Sequence, residues 1–238
     1  MGNLFNEVLY KPIFNSLVWL YNNAAFGDLG VAIILATVLT RIIFFPLFQK
    51  SLKHQRLVQE LQPRIKKIQE DHKNDREKQT KAIMDLYGSS KVNPLMPFLL
   101  LIVQLPILFA LYQVFVTGLN PDSFRSLYSF IPEPQSVNHS FLGFMDLRHP
   151  NIIITLLATI ATYFQGKLAL PKTKAGKGEV ADKMSRQMVF LAPGITLIFL
   201  FNFPSAVGLY WLTTTTFSII QQIIVNRGFE NEGIAKTS

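Results

Sequence analysis

The sequence predicts an all-α membrane protein with five transmembrane helices, an N-terminal interfacial amphipathic helix and a cytoplasmic helical hairpin. Hydrophobic residues make up 49% of the 238 residues and are concentrated in five blocks that are nearly free of charge. A helix of about 20 apolar residues is long enough to cross a hydrocarbon core about 30 Å thick. Basic residues are concentrated between alternate blocks, as in the cytoplasmic loops of membrane proteins. We expect the spans at residues 29–48, 93–117, 151–170, 188–203 and 205–226.

The first predicted element is an amphipathic helix within residues 1–28. Its apolar residues recur at three- to four-residue spacing, with polar residues opposite them. Trp19 and Tyr21 favour a position flat in the outer membrane interface, and a helix packed on other protein fits the same pattern. Pro12 predicts a kink or a break. Because Lys11 is the single basic residue and no small-residue cleavage site follows, we do not expect a secretory signal.

The first long hydrophilic segment, residues 49–92, predicts the cytoplasmic helical hairpin. A thin apolar stripe at helical spacing stops at 71–75 and resumes before Gly88, so it can pair two helices. Eleven Lys and Arg against six Asp and Glu suit ribosomal RNA or anionic lipid. The alternative is a solvated helix face whose positive charge only sets the topology.

The distribution of positive charge predicts the orientation. Of the 23 Lys and Arg residues, 19 lie in 49–92, in 167–187 or after the last span, and only three lie on the opposite side. The positive-inside rule then places the N-terminus outside and the C-terminus in the cytoplasm. This requires an odd number of spans, which supports the short fourth one. The remaining segments are an irregular external loop at 118–150, a cytoplasmic loop at 171–187 and a cytoplasmic tail at 227–238.

Arg41 lies within the apolar first span. A guanidinium cannot lose its charge, and it costs at least about 2.5–3.5 kcal/mol near the centre of a spanning helix. Two interpretations are open. The side chain could snorkel toward the membrane surface near Gln49, or it could face a polar cavity.

Other polar residues lie within the spans. Thr37 is one turn before Arg41, on the same face. The second span contains Gln104 and Gln113. Polar stripes follow the third span (Thr155, Thr159, Thr162 and Gln165 or Gly166) and the fifth (Tyr210, Thr214, Ser218 and Gln221 or Gln222). Singly, a threonine can bond to its own helix and a glutamine can bridge neighbours. Because the five spans contain no Asp or Glu, Arg41 together with the stripes indicates water or a transient anionic or polar guest.

Several classes of chemistry are excluded or disfavoured. The absence of cysteine excludes disulfides, thiolate metal sites, thiol nucleophiles and lipoprotein anchoring. The four histidines lie outside the spans, and no HExxH, GxSxG or P-loop motif occurs. We therefore predict no catalytic residues, no metal and no cofactor. Without Asp, Glu or His in the spans, an energy-driven pump is disfavoured.

Three motifs carry a resemblance to a known family. They are PLFQKSLK from Pro46 to Lys53, Leu61-Gln62-Pro63, and Val92-Asn93-Pro94 with PFLLLIVQLPILFALYQVF from Pro97 to Phe115. With them the chain resembles the YidC/OxaA-type membrane protein insertases, from the interfacial helix to Asn226. The resemblance implies a five-helix core around a hydrophilic groove that is open to the cytoplasm and to lipid and closed outside, with the hairpin beside its mouth.

The resemblance also implies site residues and partners. Arg41 occupies the position of a positive groove residue, Thr37 matches one turn earlier, Gln165 resembles a polar groove residue of the third span, and Tyr210-Trp211 resembles an aromatic pair that contacts substrates. With Gln104, these form the predicted substrate groove. The expected partners are nascent membrane-protein clients, the ribosome, the Sec translocon and the phospholipid bilayer, without DNA. The expected location is the bacterial cell membrane.

The sequence departs from the family in three respects. We expect the chain to lack the extra N-terminal span and large periplasmic domain of many Gram-negative members, the lipoprotein cysteine of Gram-positive ones, and a long basic ribosome-binding tail. The predicted function is insertion and assisted folding of client membrane proteins without enzymatic chemistry. The alternative is a small solute transporter or channel, against which stand the lack of an inverted repeat, of paired broken helices and of membrane carboxylates.

Overall fold

The computed structural model describes residues 3–117, 121–170 and 179–237, and these are mostly helical. The helices are α1 Asn3–Phe5, a π-helical turn Asn6–Tyr10, α2 Lys11–Asn23, α3 Leu29–Ile43, α4 Phe45–Asp71, α5 Arg76–Ser89, α6 Met96–Thr117, α7 Pro121–Phe124, α8 Ile152–Leu168, α9 Glu179–Phe201 and α10 Ser205–Thr237. Within the described ranges the only strands are β1 Ser140–Phe141 and β2 Met145–Asp146, which pair antiparallel. The all-α prediction is therefore confirmed for this part of the chain.

Some of the predicted segments fall partly outside the described residues. These are the beginning of the N-terminal segment (1–2), the start of the external loop (118–120), the first half of the cytoplasmic loop (171–178) and the last residue of the tail. Helix α9 begins at Glu179, inside the segment predicted as a loop, and α10 continues to Thr237, through the predicted tail.

Helix α2 packs on other parts of the protein. Phe14, Leu17 and Val18 are fully buried in the main core, which α3, α6 and α10 also build. Pro12 lies in the first turn of α2, where a missing N–H is tolerated, and the preceding turn, Asn6–Tyr10, is π-helical. The break predicted at this proline is thus a change of helix type.

The predicted first span is broken. Helix α3 ends at Ile43, and α4 begins at Phe45 with Pro46 in its first turn, bent by 68° from α3. Proline ends the preceding helix because it lacks the N–H and its ring clashes with the carbonyl four residues earlier, and it fits the first turn of the next helix. The C-terminal part of the predicted span therefore belongs to the helix that leads into the hairpin.

The number of membrane spans stays a prediction. By length and composition, α6 contains one segment apolar enough to cross a membrane alone, Phe98–Phe115, and α3 with α4 forms a second if the bent pair is one span. Helix α8 and the segment Val189–Phe201 of α9 are apolar but shorter. In α10 the apolar run is interrupted by the polar stripe that contains Gln221 and Gln222.

Helix α8 lies at the centre of the C-terminal half and packs on both α9 and α10. The two helices α8 and α10 approach closely at Gly208, where a Cβ atom would lie 2.7 Å from Ile154 Cγ2. The carbonyls at the C-terminal end of α8 are bonded by two neighbours: Gln59 of α4 donates to Ala169 O, and Asn226 of α10 donates to Leu168 O at 3.1 Å. Side chains thus satisfy backbone groups that a helix end leaves free and tie three helices together.

Residues 121–150, which we name the cap, close one end of the bundle. Asp28 accepts from Val31 N at 2.9 Å, which caps α3, and from Leu142 N of the cap at 2.6 Å. At the start of α10, Ser205 Oγ donates to Asp146 O at 2.9 Å. Asn15 of α2 donates to the cap as well, so the cap is bonded to three helices.

Asp146 and His139 of the cap have lowered pKa values. Hydrogen bonds from Arg148 hold the pKa of Asp146 well below its usual range. Burial lowers the pKa of His139, with a smaller contribution from the nearby Arg148 charge. At neutral pH, Asp146 is therefore charged and His139 is neutral.

Helices α4 and α5 form a helical hairpin that is mostly exposed. The Asp75 side chain accepts from Lys78 N at 3.0 Å and caps α5. This hydrogen bond, together with one from the Lys78 side chain, lowers the pKa of Asp75. No residue of α5 is buried, whereas α4 buries Phe48, Ser51 and Ile65. The base of the hairpin is held to the bundle through α4, which contacts α6 and α10.

Candidate functional site

Arg41 lies in the last turn of α3 and points into the bundle. The residue is only 5% exposed, and its Cζ atom lies 4.1 Å from the centroid of the Phe48 ring, which α4 supplies after the break. Its Nη1 atom has no hydrogen-bond partner among the described residues. Snorkelling required a continuous helix from Arg41 to Gln49. The bend and the burial favour the interior position instead.

Tyr210 and Gln104 meet beside Arg41. Tyr210, on α10, is 3% exposed and accepts a hydrogen bond from Gln104 Nε2 of α6. The Arg41 guanidinium is close enough to the Tyr210 hydroxyl for an electrostatic interaction. Three of the six predicted groove residues therefore lie together, one each from α3, α6 and α10.

Thr37 is buried one turn before Arg41, but its hydroxyl is occupied. Thr37 Oγ1 donates to Ile33 O at 2.6 Å, within its own helix. The threonines of α8 do the same, with Oγ1 donating to the carbonyl four residues earlier: Thr155, Thr159 and Thr162. For these residues the simpler explanation holds, because their donors are satisfied locally.

No hydrogen bond joins Gln165 or Trp211 to this cluster within the described ranges. Gln165 is half-buried on α8, and its side chain has no hydrogen-bond partner among the described residues. The ring centroid of Trp211 lies 5.8 Å from that of Phe199 on α9. Because successive helical residues differ by about 100° in direction, Tyr210 and Trp211 contact different neighbours, and the predicted aromatic pair is divided.

The structure adds Phe48 to the residues predicted for the site and distinguishes Gln221 from Gln222. Phe48 stacks on Arg41, and its role depends on the bend, which a periodicity pattern does not reveal. Gln221 is 1% exposed, and both its amide atoms lack partners in the part of the chain that the structure describes. Gln49 Oε1 is also buried without a hydrogen-bond partner among the described residues. The sequence indicated Gln221 or Gln222 without separating them. Gln222 is paired, since it donates to Asn226 Oδ1 at 3.0 Å.

The chemistry available to this site is polar binding. The described residues contain no group of three or more His, Cys, Asp or Glu that could hold a metal ion. The site offers one fixed positive charge, a phenol and amide groups, enclosed by apolar helices. Such a set can attract an anionic group and hydrogen-bond to a polar one.

Comparison with known proteins gives the family context of the whole chain. The chain matches the family described as 60Kd inner membrane protein over residues 19–232. It is 31% identical over 226 residues to a protein of Geobacter sulfurreducens, 32% over 224 residues to one of Geobacter metallireducens and 34% over 223 residues to one of Syntrophobacter fumaroxidans. Each of these relatives is named membrane protein insertase YidC. The alignments cover 91–92% of this chain and 37% of each relative, so the chain spans less than two fifths of their length.

Proposed function

Because the chain belongs to the YidC/OxaA family, described as 60Kd inner membrane protein, we propose that it is an insertase that places client membrane proteins in a bacterial membrane and helps them fold. The observation that carries the proposal is Arg41. It is a buried, permanently charged side chain that makes no ion pair with a described residue and lies where α3, α6 and α10 meet. A protein selected for stability alone gains nothing from this arrangement.

The proposed mechanism is passive. The groove around Arg41, Gln104 and Tyr210 keeps a polar environment within the membrane. The polar tail of a client enters it from the cytoplasm, so the tail crosses less hydrocarbon and the barrier to crossing falls. The apolar helix of the client then moves out to lipid. Its hydrophobicity drives insertion, and for acidic tails the membrane potential adds about 2.3 kcal/mol per charge per 100 mV.

We further propose the topology that the charge distribution predicts. The five spans are α3, α6, α8, the apolar part of α9 and the first two thirds of α10, with the N-terminus outside. The cap then lies outside, where it closes the groove, and α2 lies along the outer interface. Trp19, which is half-exposed on α2, suits that position. The hairpin lies in the cytoplasm, where its positive charge suits anionic lipid or a ribosome that delivers a client, and the Sec translocon is a further proposed partner.

An insertion assay tests the function. Purified protein in liposomes should insert a small single-span client, read as protection of its translocated tail from added protease, and protein-free liposomes should not. The same vesicles should show no ion conductance and no solute accumulation. Conductance or accumulation without client insertion would favour the transporter and overturn the proposal.

The topology can be tested separately. Because the sequence contains no cysteine, each introduced cysteine is the only thiol. Asn74→Cys at the hairpin tip and Phe144→Cys in the cap are both exposed. In intact cells an impermeant maleimide should label the second variant and not the first. The reverse pattern would overturn the proposed orientation.

A further inference from the structure

Gln221 lies on the same face of α10 as Tyr210. It follows Tyr210 by 11 residues, which is close to three full turns and about 16 Å along the helix. The residue is 1% exposed, and neither Oε1 nor Nε2 has a hydrogen-bond partner among residues of the described ranges. A buried amide with both atoms unpaired is rare in folded proteins and calls for an explanation.

Helical spacing places Gln49 of α4 at a similar level. The rings of Phe45 and Phe217 are in contact, with centroids 6.4 Å apart and planes at 81°. Both helices run from this contact toward the end of α8, which Gln59 and Asn226 reach. One turn beyond the contact, α4 carries Gln49 and α10 carries Gln221. The buried Gln49 Oε1, which is also unpaired in the structure as described, thus adds to the same polar level.

We propose that Gln221, with Gln49, binds the peptide backbone of the extended client segment that passes through the groove. The inference rests on the proposed function and adds a second subsite to it. A carboxamide offers one acceptor and a donor, which matches the carbonyl and N–H of a peptide unit. An extended client segment has both groups free, and they are costly to bring into an apolar surrounding without partners.

The two subsites differ in what they select. Arg41 attracts acidic side chains, whereas an amide that binds backbone is indifferent to client sequence. The distance from Tyr210 to Gln221 corresponds to about five extended residues at about 3.3 Å each. A short polar tail or loop can therefore contact both subsites at once. Clients without acidic residues should depend on Gln221 more than on Arg41.

Gln222 provides a matched control. It is the next residue, is 4% exposed and carries the same side chain. Its amide is already used, since it donates to Asn226 Oδ1 at 3.0 Å, and Asn226 in turn donates to Leu168 O of α8 at 3.1 Å. Removing it breaks a structural connection and leaves the proposed subsite intact.

The experiment compares Gln221→Leu and Gln222→Leu in liposomes, with a single-span client whose translocated tail has no acidic residue. Gln221→Leu should melt at or above the wild-type temperature, because it removes unpaired polar atoms. It should insert this client at least about fivefold more slowly, which corresponds to one lost hydrogen bond. Gln222→Leu should melt at a lower temperature and, below that temperature, insert at the wild-type rate. A photoreactive residue at position 221 should give client adducts during insertion.

Two results would overturn the inference while wild type remains active. One is insertion by Gln221→Leu at the wild-type rate. The other is a melting temperature of Gln221→Leu below that of wild type, combined with a Gln49→Leu/Gln221→Leu double variant in which both the melting temperature and insertion return to wild-type values. The two amides would then only stabilise one another and would not bind a client. If wild type itself does not insert the client, the proposed function fails instead, so the two failures are distinguishable.

Discussion

Replacing Arg41 by leucine should make the free protein more stable and should lower the proposed insertion activity. Burial of an arginine in a spanning helix costs at least about 2.5–3.5 kcal/mol, and a cation–π contact such as the one with Phe48 returns roughly 0.5–2 kcal/mol. No described carboxylate forms an ion pair with Arg41 to add to this return. The difference leaves Arg41 destabilising by about 0.5–3 kcal/mol, and Arg41→Leu should recover that amount.

The activity should change in the opposite direction. A client carboxylate about 8 Å from the guanidinium gains about 2 kcal/mol at an effective dielectric constant of 20. Loss of 1–2 kcal/mol from the barrier-lowering interaction slows insertion about 5- to 30-fold for each acidic residue in the tail. A client with a neutral tail should be affected much less. Both clients are assayed in the same liposomes, and stability is measured as the melting temperature in detergent.

Arg41→Lys is the matched control. It keeps the charge and loses the planar group that stacks on Phe48, so it should retain most of the insertion of the acidic client. Arg41→Leu with a lower melting temperature, or with the wild-type rate for acidic and neutral clients alike, would refute the reasoning, because Arg41 would then be a structural residue.

Three further predictions concern the rest of the molecule. A photoreactive residue at Tyr210 should form adducts with a client during insertion, whereas one at Trp211 should label neighbouring protein or lipid; equal client adducts at both positions would contradict the divided aromatic pair. Asn15→Leu should lower the free energy of unfolding by about 1–3 kcal/mol, because it leaves buried backbone groups unpaired, measurable as a lower melting temperature and faster amide exchange in the cap. Because the pKa of His139 is lowered in the folded state, the free energy of unfolding should fall as the pH drops through about 6.5, where the unfolded chain takes up the proton first. His139→Gln should make the melting temperature depend less on pH between about pH 7 and pH 5. An unchanged pH dependence in this variant would contradict the role of His139.

The sequence predicted the helical segments well where apolar blocks or amphipathic stripes are long. It failed at the junction of α3 and α4. Residues on both sides of Phe44 are apolar, so composition shows one continuous block, and only Pro46 signals the break. A proline in the first turn of a helix and one that kinks a helix have the same sequence context. The direction of Arg41 depends on this junction, which is why its contact with Phe48 was not predictable.

The candidate site shows the same limit. Helical spacing correctly placed Arg41 and Thr37 on one face, and the structure brings Arg41 together with Tyr210 and Gln104. Spacing within one helix does not determine which neighbour that face meets. Trp211 turns to α9 for this reason. The contacts of Asn15 with the cap are also beyond such patterns, since its partner Ser126 lies 111 residues away.

Two sets of polar side chains inside the bundle have different consequences. Asn15, Gln59 and Asn226 bond to backbone groups of other elements, so they hold the bundle together. Arg41 and Gln221 keep atoms unpaired toward their described neighbours. Apolar residues of similar volume at those two positions would increase stability. Both positions therefore keep a cost in folding free energy, one on the inner face of α3 and one on that of α10. Such a cost is expected if a polar guest supplies the missing hydrogen-bond partners only while it passes, since permanent partners would compete with the guest.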